Sequence, residues 1–95
     1  MKQTKTNSLQ IVKKSYQKLN MINSKLKKFQ VNLKIKGDKS SLDSVDIITF
    51  FSILDKEIEK NKYRNPDFMN ENFFFKFNDI SLLDIINMIK KANEK

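Results

Sequence analysis

Hydrophobic positions recur along this chain at steps of three and four in three separate stretches. In the first, Leu9, Val12, Tyr16, Leu19, Ile22, Leu26 and Phe29 form a stripe with lysines on the opposite side, which predicts an amphipathic helix over Ser8 to Phe29. Asn7 or Ser8 supplies its N-cap. Propensity alone leaves open whether this helix is continuous or breaks near Asn20 to Ser24. In the second stretch, Val45, Ile48, Phe51, Leu54 and Ile58, widened by Leu42 and Ile47, predict a helix from Ser41 to Asn61. Ser40 and Asp43 stand at its start in the spacing of a capping box, with Ser40 as the cap. In the third, Ser81 and Asp84 repeat that box, and Ile80 and Ile85 are spaced for a hydrophobic staple. Leu83, Ile86 and Ile89 (or Met88) then face inward to about Ala92.

The segments between these helices read differently. Val31, Leu33 and Ile35 alternate with Asn32, Lys34 and Lys36, a strand pattern with no evident partner strand. An unpaired strand is unstable, so the expectation is an extended loop that tucks alternate side chains onto a helical core. Gly37 and Asp38 close it as a turn. Pro66 suits the first turn of a short helix over about 67–72. The aromatic run Phe73-Phe74-Phe75-Lys76-Phe77 is expected to plug the core ahead of the last helix. The sum is an all-α fold, a small four-helix bundle of three main helices and one short one, in a single domain spanning 1–95 with flexible ends at 1–7 and 92–95.

Composition removes many kinds of chemistry. There is no Cys and no His among the 95 residues, which excludes disulfides, thiol nucleophiles, a Ser-His-Asp triad and the usual zinc sites, so no metal site is expected. One Gly and one Pro exclude a P-loop or a dinucleotide-binding glycine motif and argue against an all-β fold. No apolar run approaches the ~18–20 residues of a membrane span, and the first residues lead into no signal-peptide core. The expected compartment is the cytoplasm. The net charge of +8 is unevenly placed. Residues 1–39 carry eleven Lys against Asp38 alone, whereas residues 40–95 carry eight Lys or Arg and ten acids.

The run that carries chemistry is Ser40-Ser41-Leu42-Asp43-Ser44-Val45-Asp46-Ile47-Ile48, continuing through Phe51 and Leu54 to Glu57-Ile58. It resembles the signature of the acyl carrier protein family, in which a D-S-L-D-x-V-E-like run opens the second helix and an acidic helix with an apolar stripe follows. The order of elements around it is also the family's: a basic first helix, a long loop, a Gly-containing turn, a second helix, a short third and a closing fourth. The family has Asp just before its modified serine; with Ser41 in that role, Ser40 stands in its place.

The resemblance implies a non-catalytic four-helix carrier of acyl-carrier type. A phosphopantetheinyl transferase would attach a 4'-phosphopantetheine arm to Ser41, and the arm's thiol would hold an acyl or aminoacyl group as a thioester. Acyl-transferring or acyl-activating enzymes of fatty acid or other lipid, polyketide, peptide or polysaccharide-modifying biosynthesis would recognise Asp43, Asp46 and Asp55. Ser41 as the first residue of a helix also makes physical sense, because a phosphodiester there meets free backbone N–H groups and the positive end of the helix dipole. The expected state is a monomer. Two other readings stand beside this one: a small basic nucleic-acid-binding protein using the N-terminal lysines through phosphate contacts, and a degenerate carrier fold serving only as a protein-interaction module. The lysines are scattered round a helix and only one Arg is present for reading bases, so a nucleic-acid partner is not expected.

Overall fold

The computed structural model describes residues 7–37, 40, 42–66 and 79–93. They form helix α1 (Ser8–Ile22), strand β1 (Lys34–Lys36), helix α2 (Ser44–Lys60), strand β2 (Ile80–Ser81) and helix α3 (Leu82–Ala92). The fold is thus mostly helical, with three helices and one two-stranded antiparallel ribbon among the described residues. The expected short helix at 67–72 and the aromatic run at 73–77 lie outside them.

α1 is capped by Asn7, whose side chain accepts from the Gln10 N–H at 2.9 Å while the Gln10 side chain accepts from the Asn7 N–H at 3.3 Å. The helix stops at Ile22, seven residues before the apolar stripe ends. Leu26 is nevertheless buried and Phe29 packs against the core. The chain folds back along α1 after Asn23 and is held there by side chains of the helix itself. Tyr16 donates its hydroxyl to the Lys27 carbonyl at 2.6 Å, and Asn20 donates to the carbonyls of Leu26 and Lys27. The stripe's period continues through a loop because the loop's backbone polar groups are satisfied from α1. Leu9 and Ile22, also on the expected stripe, are exposed instead.

The alternating segment does find a partner. β1 pairs with β2 antiparallel, Lys34 opposite Ser81 and Lys36 opposite Ile80 with an irregularity between them, and the Leu82 N–H continues the link to the Leu33 carbonyl at 2.9 Å. Leu33 and Ile35 turn inward. The expected unpaired loop is corrected to a strand, and its partner was hidden because β2 is only two residues long and doubles as the entry to α3. Gly37 follows at φ 123°, a backbone region in which a Cβ is penalised.

α2 begins three residues later than the spacing of Ser40 and Asp43 suggested. Its cap is Asp43, which accepts from the Asp46 N–H at 2.8 Å, while Asp46 accepts from the Asp43 N–H at 3.3 Å. Ser40 is not the cap: its hydroxyl accepts from the Leu42 N–H at 3.1 Å in a tight local turn ahead of the helix. Two boxes three residues apart competed, and the inner one places buried Leu42 just before the cap and partly buried Ile47 one turn on, the spacing of a hydrophobic staple. The buried face of α2 is Phe50, Phe51, Leu54 and Ile58, with Val45 and Ile48 outside it.

In α3 the Ser81–Asp84 box and the burial of Ile80 and Ile85 agree with expectation. Leu83 is exposed, and Leu82 and Ile85 take the inward positions with Ile86 and Ile89. The core lies where α1, α2 and α3 meet, around Tyr16, Phe50 and Phe51, whose rings pack at centroid distances of 6.4 Å and 5.3 Å.

Candidate functional site

The predicted attachment chemistry belongs at the start of α2, whose residues are arranged differently from the expectation. Ser41 lies outside the described residues, and the first helical residue is Ser44, not Ser41. Ser44 is exposed. It follows the capping Asp43 directly, within the run Asp43-Ser44-Val45-Asp46. The N–H groups of a helix's first turn have no acceptors within the helix, and the dipole is positive there. An oxyanion on the Ser44 hydroxyl would meet both.

The three acids expected to recognise partners are differently occupied. Asp43 is exposed, its carboxylate turned onto the first turn as the cap. Asp46 is half-buried and accepts two hydrogen bonds from the Asn23 side chain, at 3.2 Å and 3.4 Å, besides one from the Asp43 N–H. That tie pins the end of α1 to the beginning of α2. Asp55 is half-buried and accepts from the Asn65 side-chain amide. Of the three, Asp43 alone is both exposed and adjacent to Ser44.

Beside Ser44 the surface is apolar. Val45 is 69% and Ile48 51% exposed. At ~100° per residue, Val45, Ile48 and Ser52 fall on the side of α2 away from its buried residues, and Ser44 lies between that side and the buried face. The expected apolar stripe therefore contains two sets of residues, one packing the core and the other facing out beside the serine.

A second charged feature lies on the opposite side of α2. Glu57 is only 2% exposed and pairs with Lys18 of α1, while its Oε1 is buried with no hydrogen-bond partner. Burial pushes its carboxyl up, but the hydrogen bond and charge of Lys18, with the charges of Lys14 and Lys60, outweigh this and hold its pKa below the ordinary glutamate value. This pair joins α1 to α2 and is remote in sequence from the serine end. Tyr16, also buried, has its pKa raised, chiefly by burial and further by the charge of Asp46, against an opposing hydrogen bond with Asn20.

The predicted helix start at Ser41 would put Asp43-Ser44, an acid immediately before a serine, inside the helix; with the start at Ser44 that serine is the exposed first residue. Compared with protein-family models, with curated proteins and with solved structures, the chain matches none.

Proposed function

We propose that this chain is a non-catalytic carrier protein and that its 4'-phosphopantetheine arm is borne on Ser44 rather than on Ser41. The observation that carries the reading is the position of Ser44 as the exposed first residue of α2, directly behind an aspartate that caps the helix. In that register the acid-serine-apolar-acid order of the carrier signature falls on Asp43, Ser44, Val45 and Asp46, and the missing acid that set Ser41 apart from the family is no longer missing. A transferase would join the Ser44 oxygen to the phosphorus of the pantetheine phosphate of coenzyme A, releasing adenosine 3',5'-bisphosphate. The resulting phosphodiester is favoured at the N-terminus of α2. Val45 and Ile48 give a partner enzyme apolar contact beside the arm, and Asp43 gives it charge. Acyl or aminoacyl loading and the four-helix carrier architecture belong to the same proposal.

The test is intact mass after incubation with coenzyme A and a transferase of broad specificity. The wild type gains one phosphopantetheine, Ser44→Ala gains none, and Ser41→Ala gains it as the wild type does. The reverse pattern returns the arm to Ser41. No gain in the wild type with any of several transferases leaves a carrier-like fold without an arm and overturns the proposal.

A further inference from the structure

Two of the most exposed large apolar side chains on the described surface stand within its most basic segment. Met21 is 84% and Ile22 69% exposed, both in the last turn of α1. Residues 7–37 hold eight lysines and no acid. Lys13 and Lys14 lie exposed on α1 before Met21, with Lys18 half-buried against Glu57, and Lys25, Lys27 and Lys28 follow in the loop that folds back over the helix. Lys13 and Lys28 also line, with Gln17, Asn20, Tyr16 and Phe29, a hollow of about 330 Å³ against α1. Asp46, beside the end of α1, is held by Asn23.

Two protruding apolar chains in a field of lysines match one class of partner better than others. Anionic lipid offers phosphates to the ammonium groups and acyl chains to the apolar residues, and each Lys near such a surface adds to binding. Lysine stems also pass through the interface while their heads stay hydrated. A nucleic acid has phosphates but no use for an exposed Met and Ile, and the described basic segment lacks the Arg and free aromatic faces that read or stack bases. We infer that the end of α1 with the Lys25–Lys28 loop is a peripheral docking surface for anionic membrane lipid. Met21 and Ile22 enter the headgroup region, and Lys25, Lys27 and Lys28 meet the phosphates. The inference does not depend on the arm, but it gives the arm a setting. Asn23 ties this end of α1 to the first turn of α2, so Ser44 sits at the membrane-facing end of the molecule.

Co-sedimentation of the full, unmodified chain with phosphatidylcholine vesicles and with vesicles of equal parts phosphatidylcholine and phosphatidylglycerol tests this. The expected result is binding to the second alone, weakened by salt. The triple substitution Lys25→Gln, Lys27→Gln, Lys28→Gln should lower the affinity by about a hundredfold. Met21→Ser with Ile22→Ser should lower it by about tenfold or more, with the helical signal of both variants unchanged because the side chains replaced are exposed. Absence of binding to anionic vesicles at low salt overturns the inference. So does equal binding by wild type and both variants, or tighter salt-sensitive binding to a single-stranded oligonucleotide than to the vesicles. The mass experiment on Ser44 reads out separately, so either result can fail without the other.

Discussion

Glu57 is the one carboxylate buried among the described core residues, and its behaviour follows from its few partners. With Lys18 beside it and Lys14 and Lys60 nearby, its charged form is favoured despite burial, so its pKa is lower in the folded chain than in the unfolded one. A depressed carboxyl stabilises the fold at pH above the unfolded value of about 4.5, and that contribution is lost as pH falls through the depressed value. Glu57→Gln keeps the volume and removes the charge, and it should cost about 1–3 kcal/mol near neutral pH. The gap between wild type and variant should close on acidification. Urea unfolding at neutral and acid pH measures it, and a gap independent of pH would mean that the charge of Glu57 contributes nothing. The sequence places Glu57 in the acidic run of α2 but does not show its burial, because a Glu one turn beyond Leu54 and beside Ile58 looks like the edge of an exposed face. Ser44 was obscured for a related reason. Ser40 and Asp43 have capping spacing, as do Asp43 and Asp46, and only the burial of Leu42 ahead of the cap decides between them.

At the level of elements, the helices were legible from period and caps, whereas their ends were set by contacts that no local pattern contains. α1 ends at Ile22 because Tyr16 and Asn20 hold the returning chain at Lys27. β1 exists because a two-residue partner arrives from the far end of the sequence. The end of α2 adds a further case. Lys62 stands at φ 60°, with its N–H donated to the Glu59 carbonyl and the Tyr63 N–H donated to the Ile58 carbonyl, each at 3.0 Å. These are the two bonds of a Schellman motif, whose left-handed position is usually glycine. A residue with a Cβ there is strained by roughly 1–2 kcal/mol. Lys62→Gly should therefore stabilise the protein, by about 0.5–1 kcal/mol after the added freedom of the unfolded chain is counted. A higher urea midpoint at unchanged slope would show it; a lower midpoint would mean that the stem of Lys62 contributes more than the strain costs.

Across the whole molecule the dominant feature is the separation of charge from core. α1 contributes Ile11, Val12, Tyr16 and Leu19 to the interior, and its other side begins the acid-free basic segment of residues 7–37. The radius of gyration is 13.0 Å, so at an ionic strength near 0.01 M, where the screening length is about 30 Å, these lysines repel one another across the entire molecule. Near 0.15 M the screening length is about 8 Å, shorter than that radius, and the repulsion is confined to neighbours. The Lys18–Glu57 pair opposes this trend only weakly, because its carboxylate is buried and little screened. Self-repulsion of this kind destabilises the compact state. Raising salt over that range at neutral pH should therefore raise the melting temperature, by about 4–8 °C if repulsion amounts to roughly 1 kcal/mol in a domain of this size. Neutralising Lys25, Lys27 and Lys28 should flatten the dependence, since it thins the same field that would draw the chain to anionic lipid. A melting temperature that falls with salt would show attractive pairs outweighing the repulsion, and the basic segment would then be locked into the fold rather than free to meet a partner.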